Sequence, residues 1–326
     1  MPDVFLTGGT GFVGGALLRC LVAEGRSVRA LARTPTGHDL VRSLGAEAVP
    51  GDLADGAALR RGLAGCRVAF HAAGVNAMCL PDPAPLYRAN VDGAAGVVEA
   101  AAAAGVPRVV HTSSAVAIGE AAGVVATEAT PHRGSYLSHY DRSKHLGEQA
   151  AQAAGERTGV AVVCVNPASV QGPGRTGGTA RLLIGYLSGR LHWTVDATFS
   201  LVFVDDCTRA HLLAEQRGVA GERYLVSGAT LTVREAVARL ARLAGTERRV
   251  RFLPAWTATA GAAVAGGAWH LAGRQAPVCR EMARVLRHGA AYDGSRATRD
   301  LGLEYTPLED WLRLTVEWYR QQGLVP

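Results

Sequence analysis

Lysine is nearly missing from this chain of 326 residues: among 34 Lys and Arg the only lysine is Lys144. Arginine carries the positive charge everywhere else, so the exception marks a place where a compact ammonium serves and a planar guanidinium does not. The six cysteines (Cys20, Cys66, Cys79, Cys164, Cys207, Cys279) include no C-x-x-C pair and no His/Cys cluster at zinc-ligand spacing. No metal site is expected, and all six are expected to be reduced core residues. A basic segment leading into an apolar signal core is also lacking; secretion is not expected and a cytoplasmic location is. No fixed-period repeat occurs, which excludes a solenoid or propeller. The formal net charge is +6, but the arginines are scattered and form no basic stripe with interleaved aromatics. That pattern fits a soluble protein or an anionic small ligand and speaks against nucleic acid as a partner. One stretch of twenty residues, 254–273, carries no charge and has Trp256 and Trp269 near its ends. It is mostly Ala, Gly and Thr, which gain little in hydrocarbon, so it is expected to lie over a substrate pocket rather than on a membrane.

What is present is alternation. Short apolar runs at 4–7, 28–32, 68–71, 109–112 and 161–165 are separated by Ala/Leu/Arg stretches of helical period. Nearly continuous apolar strands between helices predict a doubly wound α/β domain with a parallel sheet covered on both faces. After Pro167 a glycine-rich loop begins, and the last third reads as mainly helical. Runs at 201–204 and 224–226 look like strands returning to the first sheet. The expected division is 1–172 plus about 200–227 for a dinucleotide-binding domain, and about 173–199 plus 228–326 for a smaller, mainly helical substrate domain.

The first strand leads into Gly8-Gly9-Thr10-Gly11-Phe12-Val13-Gly14 and then directly into a helix. In that setting the glycines allow a tight turn, and the helix N-terminus offers free N–H groups to a pyrophosphate. The second strand ends at Arg33 with no acidic residue between Glu24 and Asp39. A carboxylate there would bond the ribose 2′-hydroxyl of NAD(H), whereas a guanidinium can fork onto a 2′-phosphate, so NADP(H) is expected over NAD(H). Asp52 and Leu53 follow the third strand, with Asp52 available to the adenine amino group or to its own turn. Ala72 and Ala73 follow the fourth strand and let a cofactor lie against backbone.

Tyr140 and Lys144 stand four apart at the start of a helical stretch, which puts phenol and ammonium on one face. A nearby cation favours the phenolate and brings a tyrosine toward acid/base work at neutral pH. Y-x-x-x-K alone is weak, but with one lysine and eight tyrosines in the chain its chance occurrence is about one in forty. Thr112, Ser113 and Ser114 close the fifth strand, where Ser114 can hydrogen-bond a substrate oxygen.

Taken together, the glycine turn, Asp52, Thr112-Ser113-Ser114 and Tyr140-x3-Lys144 resemble the extended short-chain dehydrogenase/reductases. Tyr87 to Gly93, Asn166 to Gly174 and Phe203 to Asp206 are similar to later blocks of that family. The resemblance implies Ser114, Tyr140 and Lys144 as the catalytic triad. It also implies a dinucleotide held by Gly8, Thr10, Gly11, Phe12, Val13, Arg33, Asp52, Leu53, Ala72, Ala73, Thr112, Tyr140 and Lys144, with Pro167, Ser169 and Val170 lining the nicotinamide. Within the family the chain looks most like the dihydroflavonol-reductase-like and hopanoid-associated-epimerase-like subgroup. Val163-Cys164-Val165-Asn166 stands where sugar-nucleotide enzymes commonly carry Arg-Tyr-Phe-Asn, and Ile118 where they often have Tyr, which argues against a sugar nucleotide. The expected activity is NADPH-dependent reduction of a small, apolar ketone or aldehyde, or the reverse oxidation, in an apolar pocket near Val75, Met78 and Leu80. The alternatives are a sugar epimerase or 3β-hydroxysteroid-dehydrogenase-like enzyme and a non-enzymatic NADP(H)-sensing protein. A small carbonyl or alcohol compound is the expected partner, and a homodimer is left open.

Overall fold

A computed structural model describes residues 3–254, 256–257 and 279–326. Most of the uncharged 254–273 stretch therefore lies outside the described residues. The chain opens with β1 (Val4–Thr7), α1 (Phe12–Ala23), β2 (Val28–Ala32), α2 (Pro35–Ser43), β3 (Glu47–Pro50), α3 (Gly56–Leu63) and β4 (Val68–His71). Every side chain of β1 is buried, and successive ones point to opposite faces. Val4 and Leu6 join Leu17, Leu18 and Leu21 of α1 in one apolar layer, while Phe5 joins Leu59 and Leu63 of α3 in the other. The fit on that second face is close: a Cβ on Gly62 would lie 2.2 Å from the Phe5 ring.

The chain continues through α4 (Ala84–Tyr87), a π-type turn at Arg88–Asp92 and α5 (Gly93–Ala103) to β5 (Arg108–Thr112). The short β6 (Val125–Ala126) precedes α6 (His139–Thr158), which is capped by Ser138 and ends on Gly159 at φ 77°. Then come β7 (Ala161–Pro167), β8 (Ser169–Gln171), α7 (Ala180–Leu187), β9 (Trp193–Val195), β10 (Thr198–Phe203), α8 (Val204–Arg217) and β11 (Arg223–Val226). Seven strands form one sheet in the order β11-β7-β5-β4-β1-β2-β3, every pair parallel. The chain winds outward from β1 to β3 and then crosses back to β4 on the other side of β1. This reversal opens a crevice at the carboxyl ends of β1 and β4, where doubly wound sheets bind ligands.

The remaining elements are β12 (Ala229–Thr232), α9 (Val233–Ala244), β13 (Arg251–Leu253), a helix at Arg280–His288, β14 (Ala291–Tyr292) and a helix at Leu308–Gln321. The apolar faces of β12, α9, β13 and the 308–321 helix make a third core with α7, in which Tyr186, Leu240, Trp311 and Tyr319 are buried, while Tyr292 of β14 joins the first core. One strand departs from expectation. The 201–204 run does not return to the large sheet: β10 sits between β8, parallel, and β12, antiparallel, in a sheet of three. Its residues are fully apolar at Leu201–Phe203 because Leu201 and Phe203 pack into the third core and Val202 into the first, a pattern that does not distinguish one buried sheet from another. The 224–226 run does return, as the edge strand beside β7.

Candidate active site

The glycine turn is held by close approach. Gly8 adopts φ 79°, and a Cβ on it would lie 2.5 Å from the backbone of Ala72 and Ala73, while one on Gly14 would lie 2.2 Å from the Gly8 carbonyl oxygen. Side chains are excluded here by backbone packed on backbone, and α1 starts with no side-chain cap and no acidic residue in its first turn. Its free N–H groups and positive dipole end therefore face open space. That space is a cleft of about 800 Å³ lined by Gly8, Thr10, Gly11, Arg33, Asp52, Leu53, Ala72 and Ala73 among others. Eight sequence-predicted residues thus meet around one elongated cavity, whose far end reaches Arg60, Glu99 and Ala103. A cradle that only glycine fits, ending on a helix N-terminus, suits a dinucleotide. Arg33 is 77% exposed at its rim, with Nη1 3.8 Å from Asp52. Asp52 also accepts from Ala54 N–H at 3.0 Å, so it shapes its own turn as well as facing the cleft.

The candidate catalytic side chains come from the adjacent strand end, which supplies Ser114, and from the first turns of α6, which supply Tyr140 and Lys144. β4 and β5 pair in register, His71 opposite His111, so Ala72 and Ala73 lie beside Thr112 to Ser114. Burial raises the pKa of the Tyr140 phenol above its ordinary value; the neighbouring Ser114 side chain and the Arg175 charge oppose that rise and Asp141 adds to it. Lys144 is buried, and its ammonium donates to the Thr112 carbonyl at 2.8 Å. Burial lowers its pKa to about 8, against the pull of Glu148. Lys144 is thus fixed to the end of β5, and the Arg175 charge also favours the phenolate. Behind the lysine stands a neutral layer: His71 and His111 stack at 5.1 Å, His71 accepts from or donates to Thr7 at 2.7 Å, and His211 meets Thr112 Oγ1 at 2.8 Å. Burial lowers His71 to about 3 and His211 to about 4.

Phe12 and Val13 open α1; Phe12 turns toward the third core and Val13 toward the first. Pro167, Ser169 and Val170 do not line the cleft. Pro167 is buried in β7 opposite Val226, the Ser169 hydroxyl is engaged by Thr179 and Gln171, and Val170 packs against both neighbouring cores. Val75 reaches the cleft, and Met78 and Leu80 are half-buried in the loop beyond it.

Several contributors were not anticipated. Asn90 is buried and binds Val75 N–H and C=O and the Ser143 hydroxyl, tying the loop after β4 to the catalytic helix. Glu281 accepts from His139 N–H at 2.8 Å and Cys79 N–H at 2.9 Å, so the 280–288 helix also touches the start of α6. Cys79 and Cys279 form a disulfide across 200 residues, correcting the expectation of six reduced cysteines; Cys20, Cys66, Cys164 and Cys207 are free. Spacing gave no warning, because the pairing depends on two loops meeting in the fold. Among the described residues no group of three or more His, Cys, Asp or Glu could hold a metal ion, and no helix is long and apolar enough to cross a membrane.

A Rossmann sheet, a glycine cradle, and a serine at a strand end beside a tyrosine and a lysine on the following long helix define an NAD(P)-dependent oxidoreductase of the extended short-chain dehydrogenase type. Residues 4–227 match the NAD dependent epimerase/dehydratase family, and the chain belongs to it. It is 32% identical to a Synechocystis sp. protein named "Putative dihydroflavonol 4-reductase", over 98% of this chain and 95% of that one. It is also 32% identical to a 4-hydroxy-2-methyl-3-oxo-4-farnesyl-3,4-dihydroquinoline-1-oxide ketoreductase of Stigmatella aurantiaca, over 91% and 90%. Among solved structures it is similar to gox2253, with a TM-score of 0.86 and 28% identity over the whole of both chains.

Proposed function

We propose that this enzyme is an NADPH-dependent carbonyl reductase for a small apolar ketone or aldehyde. The observation that carries the reading is the glycine cradle at the head of α1, with Ser114 after β5 and Tyr140 and Lys144 in the first turns of α6 next to it. Tyr140 would hold its proton until negative charge develops on the carbonyl oxygen, the donor role that reduction requires. The dinucleotide, when bound, supplies the hydride. Ser114 and Tyr140 would both bond the carbonyl oxygen, and Tyr140 would pass its proton to that oxygen as negative charge develops on it. Lys144, anchored on Thr112, would hold a positive charge under the strand end. Gly8, Gly11, Ala72 and Ala73 keep the cradle open, while Val75, Met78 and Leu80 offer an apolar wall.

Arg33 and Arg60, both exposed along the same cleft, support NADPH over NADH, since a guanidinium there can meet a 2′-phosphate. The relatives named for a reductase and a ketoreductase support the reductive direction. The test is a panel of apolar ketones and aldehydes followed by NADPH absorbance, with NADH controls. Carbonyl-dependent oxidation of NADPH is expected. Tightly held nicotinamide that copurifies and shows no net turnover with any carbonyl would instead favour an epimerase.

A further inference from the structure

The loop between β8 and α7 carries an arginine with no acid to meet. Arg175 is half-buried, yet no carboxylate lies within ion-pair distance of it among the described residues, and its Nε is buried with no hydrogen-bond partner. The comparably covered Arg26, Arg133, Arg223 and Arg296 each meet a carboxylate. Arg108 and Arg133 also bury an unpaired Nε, but their other nitrogens reach the Gly218 carbonyl and the Glu120 carbonyl and Asp141, whereas the Arg175 guanidinium makes no hydrogen bond among the described residues; leaving it so is costly and points to a missing anion.

Its position names the anion. The guanidinium carbon lies 5.4 Å from the ring centroid of Phe12, the first residue of α1 after the glycine turn. The loop is brought there by glycines: Gly172, Gly174 and Gly178 have φ of 146°, 94° and 62°. A Cβ on Gly174 would already touch the Phe12 ring at 3.5 Å, and one on Gly178 would lie 3.4 Å from Arg175 Nη2. The arginine is thus packed between a ring at the head of α1 and a bare backbone. The guanidinium thus stands beside the first residue of α1, whose uncapped N-terminus is the other positive feature here, just outside the residues that line the cleft.

We propose that Arg175 supplies the counter-cation for the pyrophosphate of the bound dinucleotide, closing the C-terminal lobe onto the cofactor. The proposal rests on the dinucleotide reading of the cleft. It also accounts for the arginine's charge reaching the phenol, since a cation neutralised by cofactor would act less on Tyr140. Filling the site would therefore couple cofactor binding to the reacting tyrosine.

The test is equilibrium titration of the intact protein with NADPH and with adenosine 2′-monophosphate, which has the 2′-phosphate but no pyrophosphate. Arg175→Met keeps the stem over Phe12 and removes the charge. It is expected to weaken NADPH by about 10- to 100-fold, the range for a charge-assisted hydrogen bond, and to leave adenosine 2′-monophosphate within twofold of wild type. Arg175→Lys should recover part of the NADPH affinity. Unchanged adenosine 2′-monophosphate binding also shows that the variant is folded. An unchanged NADPH affinity with a raised KM for carboxylate-bearing carbonyl substrates would overturn the proposal and assign the arginine to substrate. Wild-type protein that binds neither ligand would overturn the dinucleotide reading itself.

Discussion

Replacing Lys144 by methionine is expected to make the fold more stable at neutral pH and less stable in alkali. The ammonium is buried at the end of β5 with one hydrogen bond, to the Thr112 carbonyl, and burial brings its pKa from 10.5 to about 8. The unfolded chain therefore holds this proton more tightly than the native one. Below about pH 8 both states are charged and the native state bears the whole penalty; as pH rises from about 8 to 10.5 the native lysine loses its proton first and the penalty fades. The displacement corresponds to about 3 kcal/mol. Methionine removes the charge but leaves the Thr112 carbonyl without a donor, which costs about 1–2 kcal/mol. Glu148 is not stranded, because Arg223 stays 3.1 Å away. The variant should gain about 1–2 kcal/mol at pH 7 and lose about as much at pH 10.5. Urea unfolding of both proteins at several pH values measures the difference, in which other titrating groups cancel. A variant less stable than wild type at pH 7, or a difference that does not change with pH, would refute the reasoning.

Other consequences follow from the same geometry. Lys144→Arg should fold but lose at least about 100-fold in kcat, because the bulkier fork cannot take the ammonium's place under the strand end; wild-type rates in steady-state assays would remove Lys144 from the chemistry. Arg33→Ser should lower kcat/KM for NADPH by about 10- to 100-fold and leave NADH nearly unchanged, as read from initial rates with both cofactors. Peptide mapping without reductant should recover Cys79 and Cys279 on one linked fragment, and reduction should cost about 2–4 kcal/mol in unfolding experiments; no change on reduction would contradict the pairing.

Most of the sheet was legible because β1, β2, β4, β5 and β7 are largely buried on both faces and carry a signal that survives without tertiary information, unlike the edge strand β3 with its exposed Glu47 and Pro50. The glycine turn was legible for a related reason: Gly8 and Gly14 are demanded by backbone contacts that no side chain can satisfy. Tyr140 and Lys144 stood out through composition and a spacing set by helix geometry. Less could be read where long-range contact decides. The strand at Leu201–Phe203 is as apolar as those of the large sheet, so its partner could not be told from its residues. Arg60 and Arg175 look like any solvated arginine until the cleft around one and the missing carboxylate around the other are seen. Cys79 and Cys279, like Glu281 and His139, meet only because the C-terminal lobe folds back on the catalytic helix.

The most direct test of the central claim compares wild type with Tyr140→Phe in two measurements on the same preparations: NADPH binding by titration and single-turnover reduction of an accepted ketone. Removing the hydroxyl takes away the proton donor and leaves the cradle intact. NADPH affinity should stay within twofold, while the rate of reduction falls at least about 100-fold. Reduction at the wild-type rate by Tyr140→Phe would contradict the account.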